Sequence, residues 1–195
     1  MEEGSSSGKR ECAGYESEEL IMQLKPALIV DFAQDGSAAD SAPFDPELRE
    51  MVELFDQDEE VFVFNREEEL RQAKELVSRH GYEAEPMNLV LLPPHAERTG
   101  HFSDYGFESG AGHLYLYEPG IAVFRLGTGA VQDTDAPMKT ASEAEPELAQ
   151  RQMDEYVIAR FHEADGLHFV VDRQHDELMD RTAQAYGCTV DFIIS

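Results

Sequence analysis

The stretch HFVVDRQHDELMDRTAQAYGCTVDFIIS (residues 168–195) contains the order of elements that decides the fold class. An apolar run ends at Asp172, a polar segment with helically spaced apolar residues follows, and Gly187 precedes a second apolar run. This order predicts a strand, a helix and a strand. Asp172 stands where a helix start needs a side chain that accepts hydrogen bonds from free backbone N–H groups. It is therefore predicted to be a cap rather than a catalytic acid or a metal ligand.

A similar order of residues occurs earlier in the chain, in FVFNREEELRQAKELVSRHGY (residues 62–82). Each stretch has an apolar strand, then Asn65 or Asp172, an arginine, an acidic helix start and a terminal glycine. Asn65 is accordingly predicted to cap its helix as Asp172 does. A duplicated unit would explain this similarity, and so would independent use of one strand–helix pattern. The sequence leaves both explanations open.

The rest of the chain is divided by apolar spacing and by its Pro and Gly residues. Two apolar runs flank Glu118-Pro119-Gly120, which predicts an antiparallel hairpin over 113–126. The other predicted elements are strands over 27–33, 61–65 and 87–92, and helices over 45–57, 66–81 and 146–166.

These elements predict a single α/β domain over residues 17–195, with α+β as the alternative class. We expect a mixed sheet of about six or seven strands packed against about four helices. The strand–helix–strand units at 60–92 and 167–194 are expected to pair in parallel, because a helical crossover usually joins parallel strands. Residues 1–16, rich in Gly, Ser and Glu, are predicted to be a disordered leader.

The charge of the chain is its most unusual property. Asp and Glu number 41 against 15 Lys and Arg, which gives a net charge of −26. In molar salt the Debye length falls to about 3 Å, so a surface dense in carboxylates repels itself little and stays hydrated. The composition therefore predicts a protein of a halophile's cytoplasm. A nucleic-acid mimic, or a dedicated partner of a basic protein, is the alternative, and direct binding to phosphate backbones is disfavoured.

The cysteines and the apolar runs indicate the compartment. Cys12 and Cys188 are too few for a disulfide framework, and both are interpreted as free thiols in a reducing cytosol. No stretch reaches the roughly 18 apolar residues of a membrane helix, and the first residues lack the apolar core of a signal peptide. We expect a cytoplasmic protein without a membrane segment.

A long central loop is predicted over residues 93–112, between the third strand and the hairpin. Imidazole and carboxylate groups there could bind zinc, or hold a general base beside a metal-bound water. Their spacing matches no established metal motif. The candidate ligands are His95, His101, Asp104 and His113.

The same loop carries three closely spaced aromatic residues. Phe102, Tyr105 and Phe107 are predicted to form an apolar binding surface for a protein partner or a small ligand. The alternative is that these rings fold back and cover the edge of the sheet. A triple substitution of the rings would separate the two, since only the second role would lower stability.

Two further groups of residues are weaker candidates for a site. His162, His168 and His175 are predicted to lie at a helix end, a strand start and a helix start, so they need not converge. The segment RLGTGAV, residues 125–131, contains two glycines but lacks the Lys-Ser/Thr of a phosphate-binding loop. The sequence contains no CxxC motif, and its GxSxG match, GSSSG at residues 4–8, lies in the Gly- and Ser-rich leader and follows no predicted strand.

The absence of a catalytic signature favours a non-enzymatic interaction or regulatory module without a cofactor. Its partner is expected to be a protein or a small ligand. The alternative is a small metal-dependent hydrolase that uses the loop at 95–113 and zinc. The oligomeric state does not follow from the sequence.

Overall fold

The computed structural model describes residues 21–32, 44–128 and 144–195, so the predicted leader at 1–16 and Cys12 lie outside the described residues. The strands are β1 Gln23–Asp31, β2 Leu54–Asp58, β3 Val61–Phe64, β4 Glu83–Leu91, β5 Glu97–Arg98, β6 Gly106–Glu108, β7 Leu114–Tyr117, β8 Ile121–Gly127, β9 Val157–Glu163, β10 Gly166–Asp172 and β11 Thr189–Ile194. The helices are α1 Asp45–Met51, α2 Glu67–Arg79, α3 Phe102–Tyr105, α4 Pro146–Met153 and α5 Asp176–Ala185. Turns of 3₁₀ helix occupy Glu118–Gly120, Asp154–Tyr156 and Arg173–His175.

The strands of the described residues form two antiparallel sheets, so the fold is α+β, the alternative class, rather than α/β with one mixed sheet. Sheet A has the order β2-β3-β1-β4-β7-β6, and sheet B has the order β11-β8-β10-β9-β5. The predicted parallel pairing within 60–92 and 167–194 is wrong. β1 lies between β3 and β4, β8 lies between β10 and β11, and each central strand is antiparallel to both neighbours. The crossover helices α2 and α5 each pass over an intervening strand.

The two sheets contain two copies of one arrangement. The first unit is β1-α1-β2-β3-α2-β4, with strand order β2-β3-β1-β4. The second unit is β8-α4-β9-β10-α5-β11, with the equivalent order β9-β10-β8-β11. This connectivity is the split β-α-β, or ferredoxin-like, arrangement. The chain is thus built from two structural repeats.

The sequence similarity between 62–82 and 169–188 falls on equivalent elements of the two repeats. Phe62 and Phe169 both point to the helix-covered face of their sheet, whereas the next residue in each strand points to the opposite face. Gly81, at φ +84°, and Gly187, at φ +68°, both end their helices in the left-handed conformation that glycine adopts without strain.

The core lies on both faces of sheet A and on both faces of sheet B. Helices α1 and α2 cover one part of the outer face of sheet A, around Phe44 and Leu76. Sheet B covers the rest of this face, where Val90 of β4 lies in one cluster with Val123 and Val170. The other face of sheet B packs against α4 and α5. No helix in the described part of the chain is long and apolar enough to cross a membrane.

Three elements differ from their predictions. The helix predicted over 45–57 ends at Met51, and β2 follows at Leu54–Asp58. The helix predicted over 146–166 ends at Met153, and β9 follows, because the segment from Tyr156 to Phe161 is rich in the aromatic and β-branched residues that favour strands. The predicted hairpin over 113–126 is also wrong. Its arms, β7 and β8, belong to different sheets, and the 3₁₀ turn between them carries the chain from sheet A to sheet B.

The ends of the predicted central loop are anchored as expected, because β4 and β7 pair with Leu89 opposite Tyr117. The predicted loop itself contains β5, α3 and β6, and β6 extends sheet A beyond β7.

Sheet A curls until its two edges meet. Asp56 on edge strand β2 accepts a hydrogen bond from Ser109 Oγ, next to edge strand β6, at 2.6 Å. The backbone N–H of Gly110 donates to Asp58 Oδ1 at 3.1 Å. The edges are thus joined through side chains. This closure explains why a cluster made only of sheet A residues is buried, with its central members at most 2% exposed: Ala27, Val63, Leu89, Leu91 and Tyr115. We call this side of the curled sheet the inner face.

Candidate functional site

A β-bulge in β2 turns two consecutive side chains towards the inner face. Leu54 pairs with Phe64 and Asp56 pairs with Val63, so Phe55 is the extra residue of the bulge. Asp56 consequently shares the face of Val63, and Phe55 packs against the same cluster. Bulges are over-represented beside functional sites, where they re-aim side chains.

Asp56 is the centre of a hydrogen-bond network. Its Oδ2 accepts from Ser109 Oγ at 2.6 Å, from His113 Nδ1 at 2.7 Å and from Tyr115 Oη at 3.0 Å. Its Oδ1 accepts from the backbone N–H of Gln57 at 2.8 Å. Burial acts to raise the pKa of Asp56, but these hydrogen bonds outweigh it and the pKa is lowered. The carboxylate is therefore ionised at neutral pH.

This carboxylate orients the imidazole of His113. With Nδ1–H donating to Asp56, the lone pair of Nε2 is free to accept a hydrogen bond or a proton. The described residues give Nε2 no hydrogen-bond partner, and the side chain is 34% exposed. The ring stacks on Phe55 with centroids 5.2 Å apart. His113 is thus a fixed imidazole that presents one nitrogen to a visiting molecule.

Lys25 is the second charged group on the inner face, and it is only 7% exposed. Its Nζ donates to Asn65 Oδ1 at 2.8 Å and lies 4.0 Å from the centroid of the Phe55 ring. Burial lowers the pKa of Lys25. Within the described ranges, no carboxylate lies at ion-pair distance from this ammonium group.

Aromatic rings continue from this cation across the inner face. Tyr115 lies 5.3 Å from Phe107, and Phe107 lies 6.0 Å from Tyr117, between ring centroids. Burial, together with the charge and hydrogen bond of Asp56, raises the pKa of Tyr115, so its hydroxyl stays a donor. Lys25, Phe55, Asp56, His113, Phe107 and Tyr117, with Tyr115 behind them, form the inner-face site.

The four predicted metal ligands are not brought together. His95 Nε2 contacts the carbonyl of His162 at 2.8 Å and lines a separate cavity of about 240 Å³. His101 and Asp104 are exposed around α3, and His113 belongs to the inner-face site. Among the described residues, one group of three potential ligands lies within 4.8 Å, and it contains none of the four: Glu163, Asp165 and His168.

The three predicted surface rings lie against the protein's own core. Phe102 is 6% exposed and packs in the cluster between the two sheets, with Tyr105 at the edge of that cluster. Phe107 packs on the inner face of sheet A. The rings therefore cover the core on two different faces, which corresponds to the alternative role considered for them, and only Phe107 joins the candidate site.

The two predicted caps have different outcomes. Asp172 Oδ1 accepts from the backbone N–H of Gln174 at 2.8 Å and caps the 3₁₀ turn before α5, so the prediction is confirmed. Asn65 is not a cap. The backbone N–H of Arg66 donates instead to Glu69 Oε2 at 3.1 Å, and Asn65 accepts from Lys25.

The remaining candidates lie apart, as expected. His168 stacks on Phe161 at 5.0 Å, His175 meets the Tyr156 ring edge to face at 4.9 Å, and His162 is exposed. Of the segment 125–131, residues 129–131 fall outside the described ranges. Cys188 is a free cysteine, as predicted, and it is buried.

The sequence signalled only His113 and Phe107 of the inner-face site. Asp56 fell inside the helix predicted over 45–57, and the bulge that redirects Asp56 has no sequence signature of its own. One signal was available for Lys25. Residues two apart in a strand share a face, so Lys25 lies on the same face as Ala27, in a stretch predicted to be a buried strand.

Comparison of the chain with protein-family models, with curated proteins and with solved structures gave no match.

Proposed function

We propose that this protein is a ligand-binding module that holds a small organic anion on the inner face of sheet A. The observation that carries this proposal is Lys25, a buried ammonium group without a carboxylate partner among the described residues. The chain has 41 acidic side chains, so a cation placed at random would be expected to have a carboxylate nearby. A buried cation without one therefore calls for an explanation. A binding module also agrees with the regulatory role expected from the sequence.

The physical argument rests on the cost of burying charge. A cation removed from water is stabilised by an opposite charge, by hydrogen bonds or by an aromatic face. Lys25 has one hydrogen bond, to Asn65, and one aromatic contact, with Phe55. An ammonium group has three N–H donors, so an anion could take the donors that Asn65 leaves.

The neighbours of Lys25 define the ligand class. A carboxylate bound to Lys25 lies on the face that also presents the oriented imidazole of His113. Phe107 and Tyr117 offer aromatic faces and edges for an apolar body, while the Phe55 ring contacts both Lys25 and His113. The preferred ligand is therefore a small aromatic or apolar carboxylate rather than a nucleic acid or a phosphate chain.

The Asp56–His113 pair supports a second candidate function, proton transfer to or from the bound ligand. An imidazole whose Nδ1–H donates to a carboxylate is the usual arrangement of a general base. Asp56→Asn would then leave ligand affinity nearly unchanged and slow turnover. The zinc hydrolase expected at 95–113 is not proposed, because its residues are spread over separate sites.

Benzoate and related aromatic carboxylates are the probes for the binding experiment, with affinity measured by calorimetry in molar KCl. Lys25→Met keeps the aliphatic stem and removes the charge, and it should weaken binding by at least about tenfold, or 1.4 kcal/mol. Lys74→Met is the matched control, since Lys74 is exposed on α2 and its loss should not change affinity. Equal affinity of the Lys25→Met variant, or no binding of any carboxylate to the unaltered chain, would overturn the proposal.

The acidic composition carries a separate proposal, that the protein works in the cytoplasm of a halophile. Secondary structure should then be lost when the chain is dialysed from molar KCl to roughly 0.1 M, where the screening of carboxylate repulsion fades. Circular dichroism measures this loss. Full retention of structure and melting temperature would favour instead a surface kept acidic for a basic protein partner.

A further inference from the structure

We propose that Glu163, Asp165 and His168 form a binding site for one divalent transition-metal ion, with zinc as the preferred metal. The three side chains come from the end of β9, the tight turn after it and the start of β10. Their ligand atoms all lie within 4.8 Å of one another. This site is independent of the inner-face site proposed above.

The imidazole of His168 points to a ligand most directly. The side chain is 1% exposed, and its ring is held flat against Phe161, with an interplanar angle of 2°. Nδ1–H donates a hydrogen bond to the carbonyl oxygen of Gly166, with the two atoms 3.1 Å apart. Nε2 then carries the lone pair, and it faces Asp165 Oδ1 at 3.5 Å, too long for a well-formed hydrogen bond.

Two acceptors that face each other repel unless a proton or a cation lies between them. In tetrahedral zinc sites, bonds of 2.0–2.1 Å to nitrogen and oxygen place the ligand atoms about 3.3 Å apart. The separation of 3.5 Å between His168 Nε2 and Asp165 Oδ1 is close to this value. A zinc ion therefore fits between these atoms with little movement of either side chain.

Each of the two carboxylates also accepts a hydrogen bond that fixes its position. Glu163 Oε1 accepts from the backbone N–H of Met22 at 2.7 Å, and Asp165 Oδ2 accepts from Arg125 Nη1 at 2.5 Å. The remaining oxygen of each carboxylate is left for a metal. Such outer hydrogen bonds to a carboxylate, and from the second imidazole nitrogen to a carbonyl, are the usual support of metal ligands.

The donor set selects the metal. Imidazole nitrogen favours zinc and its neighbours in the first transition row over magnesium and calcium, and carboxylate oxygen is accepted by zinc. Three protein ligands leave a fourth position for water. Because Met22 directly precedes β1, the ion would fix the start of sheet A to the β9–β10 turn of sheet B.

The test uses the full chain without a histidine tag, treated with a chelator and then dialysed against Zn²⁺ or Co²⁺. We expect about one tightly held zinc per chain by elemental analysis, and a higher melting temperature when the metal is present. Glu163→Gln and Asp165→Asn should each weaken metal binding by at least about tenfold. With Co²⁺, both should also lose the visible absorption that reports coordination.

Asp191→Asn is the matched control. Asp191 also pairs with Arg125 but is not one of the three ligands, so this variant disturbs the same arginine and should keep full metal affinity. His101→Gln tests stray binding to exposed histidines and should likewise bind zinc normally. Less than about a tenth of a metal per chain, or unchanged affinity in the Asp165→Asn variant, would show that these three residues form no metal site.

Discussion

The two repeats have the same strand order but bury their helix-free faces in different ways. In the second unit the centre of this face is apolar, and Ile121, Val123 and Val170 pack against sheet A. In the first unit the same face curls upon itself and holds Lys25 and Asp56 among its apolar residues. Docking against another sheet requires an apolar surface. A face closed by its own edges can keep polar groups, provided that they bond one another.

Breaking the closure of the first unit should have the largest effect. In Gly106→Ala the new Cβ would lie 1.9 Å from the carbonyl oxygen of Tyr115, which cannot move without breaking the β6–β7 pairing. We expect a loss of about 3 kcal/mol in the free energy of unfolding. Gly110→Ala is the control, since nothing lies within 4 Å of its added Cβ. Denaturant unfolding of both variants in molar KCl measures the difference, and equal stability would contradict the curled arrangement.

A hydroxyl placed on each helix-free face should distinguish the two units. Val170→Thr puts a polar group between two sheets and should lower the free energy of unfolding by about 2 kcal/mol. Val63→Thr, at the equivalent position, should cost about half as much, because Val63 is paired across the strands with Asp56, whose carboxylate offers an acceptor. Denaturant unfolding gives both values. A larger loss for Val63→Thr would show that the inner face is as intolerant of polar groups as the docked one.

Asp172 of the second unit forms a tyrosine–carboxylate pair with Tyr105 of α3, and this pair should make stability depend on pH. Tyr105 Oη donates to Asp172 Oδ2 at 2.6 Å, and this hydrogen bond, with burial, raises the pKa of Tyr105 from 10.0 to about 12. A raised pKa means that the folded state favours the neutral phenol. This stabilisation is complete below pH 10 and is lost as the pH rises towards 12.

Tyr105→Phe removes this contribution. Its stability relative to the unaltered chain should be constant from pH 7 to about 9 and should then improve as the pH increases. Unfolding free energies measured along the pH series test this, and a constant difference up to pH 12 would mean that the pair is not formed.

The smallest effects should come from the residues at the start of α2 and α5. In the Tyr105→Phe background, where the hydrogen bond from Tyr105 is already absent, Asp172→Ala should cost on the order of 1 kcal/mol, and Asp172→Asn little, because Asn also caps. In the Lys25→Met background, where its hydrogen bond to Lys25 is already absent, Asn65→Ala at the equivalent position should change stability by no more than about 0.5 kcal/mol, since Asn65 is exposed and caps nothing. Thermal unfolding resolves the difference, and equal losses would indicate that both residues cap.

Local pattern was sufficient to find the helices and strands around α2 and α5. The strand, helix and glycine of each repeat follow one another within about twenty residues, and each is encoded by its own spacing or cap. The predicted helix over 146–166 failed at Val157 because Ala149, Met153, Val157 and Phe161 are all buried, and their spacing of four residues suits a helix as well as alternate positions of a strand.

Strand partners and the inner-face site could not be read in this way. β1 lies between β3 and β4, although about thirty residues of chain separate β1 from β3. The helix that connects β3 to β4 carries no information about which strand lies between them. The contact between Asp56 and His113 spans 57 positions and exists only because of a bulge and the curl of a whole sheet. The histidine was visible in the sequence, but its carboxylate partner was not.

The pairing of β4 with β7 has a consequence for expressing the first repeat alone. A fragment ending at residue 92 would leave β4 as an open edge with unpaired N–H and C=O groups beside Leu89 and Leu91. Such edges recruit strands from other molecules and promote aggregation. During synthesis the same edge stays uncovered until β7 has been made. A fragment that continues to Tyr117 would cover the edge of β4 with β7, but it would still expose Val90 and Leu116, which sheet B covers in the whole chain.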